Sequence, residues 1–472
     1  MDCLESTDLP SIASIQYYKL LLKVATMIPI AHFIIGFACI FATTLYYLLE
    51  VHLFEDLFHG GSAVTLTYNP ASHVYRNVVS KCSILHRRYC ATPWLSSPHL
   101  QTMLLDFVGK PPKFSYKRQI FLSSDGGTFA LDWLMSSDVI PSENENDTIW
   151  EKDATPIVVV IPGLTSDSNA AYIRHLVHST AMRGWNVVVC NHRGMAGVPF
   201  TSDRAYNSGW TTDVRDVINH LHHKYSEAPL FAVGTSIGAN ILVKYLGEYG
   251  ETVPLAGAAA ICSPWDLLIG SRFIARKLIQ NLYGILLTMG LKSYAKSNQT
   301  HFMRLADWEG IMKSRHMPEF DKAVTCTMEN FETADTFYRW CSSAAYTRDV
   351  SVPLLSISSL DDPVCTSEAI PWHECRENKN IVLATTKHGG HLGFFEGITA
   401  PSLWWVRAVN EFLSVLHSTS VHKHNKENYK QGRMQRGQVA MVEISREAAT
   451  TEDVKTTCKH NKKIRRSSSY TK

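Results

Sequence analysis

Leu230-Phe231-Ala232-Val233-Gly234-Thr235-Ser236-Ile237-Gly238-Ala239-Asn240-Ile241-Leu242 runs from an apolar, strand-like segment through G-x-S-x-G into a helical pattern. A serine on a sharp strand-to-helix turn points its hydroxyl into a cleft, the arrangement of a nucleophile elbow. The flanking glycines, Gly234 and Gly238, let neighbouring backbones approach the turn where a Cβ would clash. A Gly-rich helix start with no chemistry has the same local spelling. The downstream sequence decides between the two.

Outward from the elbow, apolar runs alternate with helical patterns. Ile157–Ile161, Asn186–Cys190, 230–233 and 255–261 read as buried parallel strands, and 354–357 with 381–385 follow after a gap. Helical spacing recurs at 170–183, 213–225 and 239–249. Alternating β and α elements predict a mostly parallel sheet with helices on both faces. Asp125-Gly126-Gly127, between 118–122 and 129–134, marks a hairpin ahead of the parallel strands. The interval 263–350 is helical in character and predicts a lid over the cleft. Trp265, Phe273, Tyr283 and Met289 are its pocket-lining candidates, against the plainer reading that they pack the insertion onto the core. Residues 403–416 read as a final amphipathic helix, with Trp404, Val406 and Phe412 on its apolar side.

The ends differ from this core. Residues 24–49 carry no Asp, Glu, Lys or Arg, a run longer than the roughly 20 residues needed to cross a bilayer core. It lies too far from Met1 for a cleaved signal peptide. We expect a single transmembrane helix after an N-terminal segment, 1–23, and a location in an endomembrane such as the endoplasmic reticulum. Lys19 and Lys23 before the span, and Glu50, Glu55 and Asp56 after it, favour a cytoplasmic N-terminus with the main domain across the membrane. Residues 50–116 then form a linker and approach segment, 117–418 the main domain, and 419–472 a disordered basic tail.

Composition excludes several classes. The 472 residues are 45% hydrophobic and 19% charged, with net charge +3. That is ample for one large α/β core and offers no basic field for nucleic acid. The 11 cysteines form no C-x-x-C pair, so no zinc or thioredoxin motif is present. No cofactor and no metal is expected. Asn146-Asp147-Thr148 and Asn298-Gln299-Thr300 are glycosylation sequons if the domain is lumenal.

A serine hydroxyl needs a base, and the base needs an orienting group. After an elbow the chain order is serine, acid, histidine. The segment 354–357 leads into Ser358-Ser359-Leu360-Asp361-Asp362-Pro363-Val364. A carboxylate at that strand end faces the same crevice as the elbow. Asp362, directly before Pro-Val, is the acid candidate and Asp361 its alternative. The segment 381–385 leads into Lys387-His388-Gly389-Gly390-His391-Leu392-Gly393. His391, after two glycines, is the base candidate, with His388 the rival. An oxyanion hole takes one N–H from Ile237, after the nucleophile, and one from the loop Pro162-Gly163-Leu164-Thr165, where Leu164 is the donor. Arg193, in Asn191-His192-Arg193-Gly194, reads as a structural tie at the cleft rim.

Together, Pro162-Gly163-Leu164-Thr165, Asn191-His192-Arg193-Gly194, the elbow, Asp361-Asp362-Pro363 and Gly389-Gly390-His391-Leu392-Gly393 resemble the fourth AB-hydrolase family. Trp94-Leu95-Ser96-Ser97-Pro98-His99-Leu100-Gln101-Thr102, Ser263-Pro264-Trp265-Asp266 and Phe395-Glu396-Gly397 extend the likeness over residues 94–416. Its members include bacterial YheT-type esterases, yeast medium-chain ester synthases, membrane-anchored animal phospholipases and plant embryogenesis-associated proteins. The wording is nearest the plant members. Many relatives have glycine where Ser166 and Asp167 stand. The resemblance implies an α/β-hydrolase fold and hydrolysis of carboxylic esters. Its partners would be an acyl ester or lipid substrate and the membrane bilayer. Two other readings stand beside it. One is acyl transfer to an alcohol; the His316–Asp321 H-x4-D pattern fits that chemistry, though Pro318 and the lid position favour coincidence. The other is a non-catalytic protein whose pocket holds a lipid or hormone. Joint retention of Ser236, Asp362 and His391 argues for the enzyme.

Overall fold

The computed structural model describes Lys19, Lys23 and residues 30–49, 60–140 and 154–419. The chain divides into two compact units, Met1–His59 and Gly60–Lys472. In the first, helix α1 covers Ile30–Leu49. Its described side chains are His32 and residues 34–46, and Ile34, Phe37, Ile40 and Phe41 are exposed. Among the described residues no helix is long and apolar enough to cross a membrane. Residues 24–29 of the expected span, and the tail from 420 on, lie outside them.

The second unit is built on a nine-stranded sheet. In chain order its strands are β1 (Thr65–Tyr68), β2 (Lys117–Leu122), β3 (Thr128–Leu134), β4 (Ile157–Ile161), β5 (Asn186–Cys190), β6 (Leu230–Thr235), β7 (Gly257–Ile261), β8 (Leu354–Ser359) and β9 (Ile381–Thr386). Their spatial order is β1-β9-β8-β7-β6-β4-β5-β3-β2. The six strands from β9 to β5 are parallel; β1 and the β2–β3 hairpin close the two sides antiparallel. β4 and β5, IVVVI and NVVVC, are buried at every position, as strands covered on both faces must be.

Alternation along each strand sorts side chains to two faces. Val158, Val160, Val187, Val189, Phe231 and Val233 pack against Ile173 and Leu176 of helix α2 (Ala171–Ala181), and against Trp405 and Phe412 of a C-terminal helix, Trp404–Ser418. Their neighbours Val159, Ile161, Val188 and Ala232 face Val217 and Leu221 of α3 (Thr212–Lys224) and Leu242 and Leu246 of α4 (Ile237–Tyr249). Each such side chain contributes about 1.5–3 kcal/mol by leaving water, so the helices are held mainly by these stripes.

Between β7 and β8 the chain is helical, with α5 (Leu267–Ile274), α6 (Leu278–Ser297), α7 (Met317–Ala323), α8 (Ala334–Cys341) and shorter helices between them. From Gly60 onward the approach segment is part of the second unit. β1 pairs with β9, and Val74, Val78, Cys82 and Leu85 join the α2-side core. The N-terminal edge strand is absent from the sequence reading because Thr65–Tyr68 is only four residues, TLTY, and its partner is 314 or more positions away in the chain.

Candidate active site

β6 ends at Thr235 and α4 begins at Ile237, so Ser236 alone makes the turn. Its backbone sits at φ 52 and ψ −122, a region that non-glycine residues rarely enter. The surroundings enforce this. Ser236 N–H donates to Ile261 O at 2.8 Å, and Ser236 O accepts from Ala239 N–H at 2.9 Å. A Cβ on Gly234 would lie 2.5 Å from Gly238 O, and one on Gly238 would lie 2.3 Å from both Ile161 O and Pro162 O. Both contacts are with backbone, so neither position accepts a side chain without moving a strand.

The tips of β8 and β9 bring two carboxylates against two imidazoles. Asp362 Oδ1 accepts the Val364 and Cys365 N–H groups, each at 2.8 Å. Its Oδ2 meets His391 Nδ1 at 2.8 Å, and His391 Nε2 meets Ser236 Oγ at 2.9 Å. An ionised carboxylate only accepts, so the proton lies on Nδ1 and Nε2 is free to accept from the serine hydroxyl. The rival candidates pair with each other: Asp361 meets His388 Nδ1 at 3.3 Å and accepts the Gly390 N–H at 2.9 Å. Asp361 therefore fixes the glycine turn, and Asp362 faces the histidine that reaches Ser236.

Sequence reading gave no role to the segment that supports this histidine loop. His391 N–H donates to Thr102 Oγ1 at 2.9 Å, and Gln101 Oε1 accepts from Phe395 N–H at 3.2 Å. A Cβ on Gly390 would come within 2.6 Å of Pro98 O. The helix Pro98–Met103 thus presses directly on the turn.

The loop after β4 supplies backbone donors. Gly163 N–H donates to Tyr172 Oη, Thr165 N–H to Tyr206 Oη, each at 3.1 Å, and Ser166 N–H to Gly163 O at 3.2 Å. Leu164 N–H, between them, has no protein acceptor among the described residues. The loop is close to Ser236: a Cβ on Gly163 would stand 3.3 Å from Ser236 Cβ. The turn after β5 braces it. His192 Nε2 donates to Pro162 O at 3.0 Å, and burial lowers the pKa of this imidazole, which favours the neutral ring. Asn191 Oδ1 accepts Ser168 N–H at 2.9 Å. Arg193, 1% exposed, joins Asp125 and Asp213 and also donates to Ser202 Oγ.

Ser236, Ile237, Leu164 and His391 border a cavity of about 580 Å³. Its far wall comes from the helical insertion through Leu267, Ile274, Leu287, Leu291, Phe320 and Phe337. The four expected lining residues are not among them. Trp265 is fully buried in the core, Met289 is 60% exposed, and Tyr283 Oη bonds His99 Nδ1 at 3.1 Å. On α6 the cavity-facing positions are Leu287, Leu291 and Tyr294, and Met289, two residues beyond Leu287, is turned away from them by the helical repeat. Asn298, of the second sequon, is also buried. Its Nδ2 donates to Gly194 O and Tyr294 O, each at 3.0 Å, so a glycan has no access there; Asn146 lies outside the described residues. Cys262, Asp362 and His391 place possible ligand atoms within 4.8 Å of one another. Burial holds the Cys262 thiol well above its usual pKa, and both His391 nitrogens already have partners. The donor set therefore fits a hydrogen-bonded site and not a metal centre.

Fold and site together define a serine hydrolase of the α/β-hydrolase class. Residues 152–397 match the Hydrolase_4 family, described as serine aminopeptidase, S33, and the chain belongs to this family. Human phospholipase ABHD3 is 31% identical over 385 residues, 81% of this chain and 89% of its own length. Embryogenesis-associated protein EMB8 of Picea glauca is 33% identical, over 74% of this chain and 77% of its own. Medium-chain fatty acid ethyl ester synthase/esterase 2 of Saccharomyces cerevisiae is 28% identical, over 68% and 84%. Among solved structures, the Pyrococcus furiosus esterase Pf2001 covers 65% of this chain and 97% of its own, at TM-score 0.40 and 17% identity.

Proposed function

We propose that this chain hydrolyses carboxylic esters of acyl lipids through Ser236, His391 and Asp362. Ser236 Oγ attacks the ester carbonyl while its proton passes to His391 Nε2. The Leu164 and Ile237 N–H groups receive the developing oxyanion. Asp362 keeps the imidazole in its accepting tautomer and balances the imidazolium. His391 then returns the proton to the leaving alcohol, and an acyl-serine remains. Water, deprotonated by the same histidine, releases the acid and restores Ser236. An alcohol in place of water would give a new ester. The observation that carries this reading is the continuous relay of 2.9 and 2.8 Å contacts from Ser236 through His391 to Asp362.

The names of the relatives, a phospholipase and an ester synthase/esterase, support short- or medium-chain esters, monoacylglycerol or phospholipid as substrates. The apolar far wall supports an acyl chain there, with the helical insertion acting as a lid. The H-x4-D pattern gains no support, because Asp321 is bonded to Thr325 and Tyr338 and not to His316. Membrane attachment through residues 24–49 is part of the same proposal. Its support is the uncharged run and the exposed apolar side chains around α1, which lipid would cover. The test is fluorophosphonate labelling with a panel of esters of graded chain length. Labelling and turnover should both vanish in Ser236→Ala, a loss of about 10⁵–10⁶-fold in rate. Undiminished turnover in that variant would overturn the reading.

A further inference from the structure

The far wall of the cavity beside Ser236 is mostly apolar, with Ser271 and Thr325 among its uncharged polar residues and one carboxylate. Asp321, the fifth residue of α7, lines it. Asp321 is half-buried and borders the cavity. Two hydroxyls hold it in position: Thr325 Oγ1 donates to Oδ1 at 3.0 Å and Tyr338 Oη to Oδ2 at 2.6 Å. Each oxygen retains a further lone pair. Phe320, Phe337 and Tyr338 line the cavity around it.

The charge inventory of the cavity is one-sided. Among the described residues its lining includes Asp106, Asp167 and Asp321 but no lysine and no arginine. A group that carries only negative charge would meet no lysine or arginine among these lining residues. A positively charged group would meet a carboxylate and aromatic faces, the two features that recognise ammonium ions. Burial has also lifted the Asp321 carboxyl to a pKa of about 6, against the bonds from Tyr338 and Thr325 that act to lower it. No cationic side chain meets that cost, and a cation entering the cavity would relieve it.

We propose that Asp321 is a specificity-determining residue that binds a positively charged group on the ester substrate, so that the enzyme selects cationic over neutral and anionic acyl esters. This rests on the hydrolase reading given above and names the substrate class of that site. The bound cation is an ammonium or quaternary ammonium on the alcohol or acyl part. Asp321 takes no part in bond making. It orients the ester in the cavity while Ser236 reacts.

The experiment uses the full-length protein and three octanoate esters, the first two of matched size. They are the choline ester, its uncharged isostere 3,3-dimethylbutyl octanoate, and the ester of glycolate, which is anionic. Wild type should favour the choline ester over the isostere by at least about 10-fold in kcat/KM, mainly through KM, and the glycolate ester should be poorest. In Asp321→Asn the ratio of choline ester to isostere should collapse to near one. A purely structural role would lower both rates together and leave the ratio intact, and that outcome overturns the proposal. So does the absence of a cationic preference in wild type, which needs no variant and therefore stands even if Asp321→Asn fails to fold. Failure of all three esters, together with failure of fluorophosphonate labelling, would instead reject the hydrolase reading.

Discussion

The strand-tip loops around Ser236 and the helices between Leu267 and Cys341 border one cavity, but they are held in different ways. In the loops the contacts run to backbone: Gly238 against Ile161 and Pro162, Gly390 against Pro98, and the Asp362 carboxylate against two backbone N–H groups. Strain collects there, with Thr165, Ser236, Leu392 and Phe394 all at positive φ. Among the described residues of 267–341, Asn330 alone has positive φ. The insertion is held by side chains, and it turns Leu278, Ile279 and Met289 outward. Gly270, in α5, has nothing within 4 Å of where a Cβ would go. The loops can keep atoms within hydrogen-bonding reach of a reacting ester, and the insertion can vary the wall that the substrate meets. Rigid placement serves chemistry and the adaptable wall serves selection.

The largest expected effect that can break this contrast lies in the loops. Asp362→Asn should lower kcat by about 10⁴-fold, because an amide holds the imidazole in the wrong tautomer. Asp361→Asn should cost about 10-fold or less, the loss of a bond to a supporting turn. Ester kinetics on the two purified variants check this. The reverse ranking would move the acid to Asp361 and undo the account of the two pairs.

The next effect concerns stability. Gly238→Ala should destabilise the fold by about 3–5 kcal/mol, since its Cβ meets two carbonyl oxygens that cannot move apart cheaply. Chemical denaturation measures this, and equal tolerance of Ala at Gly238 and Gly270 would erase the distinction.

A smaller effect is expected from Asp321, and its sign follows from linkage. The carboxyl ionises near 3.8 in the unfolded chain and at about 6 in the fold. Its contribution is complete below the unfolded value and is lost as pH rises through the folded one. Asp321→Asn should therefore gain stability over wild type between about pH 4 and pH 7, by on the order of 2 kcal/mol. A pH-independent difference in melting temperature would show that the carboxyl is not held out of its ordinary range. The smallest effect is that of Gly270→Ala, a gain of about 0.5–1 kcal/mol from helix propensity.

The same contrast explains what could be read from the sequence. The elbow, the carboxylate after β8 and the histidine after β9 depend on spacing within a few residues, and turn chemistry writes that spacing into the chain. The core strands were legible because both faces are covered, so every position in IVVVI and NVVVC is apolar. The insertion's apolar residues were visible, but which of them face the cavity depends on how each helix is rotated against the sheet. Residue type alone points Trp265 and Met289 to the cavity, and packing turns one into the core and the other to solvent. The Thr102–His391 bond joins residues 289 positions apart, and no local pattern records it. Asp321 was visible only as part of an H-x4-D spelling; its place in the cavity comes from the α7–α8 packing that brings Tyr338 to it.

The central claim is that Ser236 is the nucleophile, activated by the relay through His391 to Asp362. Its most direct test is to react the folded, full-length protein with a fluorophosphonate and locate the adduct by peptide mass spectrometry. The account predicts one adduct per chain, on the peptide carrying Ser236, and a strong slowing of its formation in Asp362→Asn. An adduct on another residue, or none on folded protein that still hydrolyses esters, would contradict it.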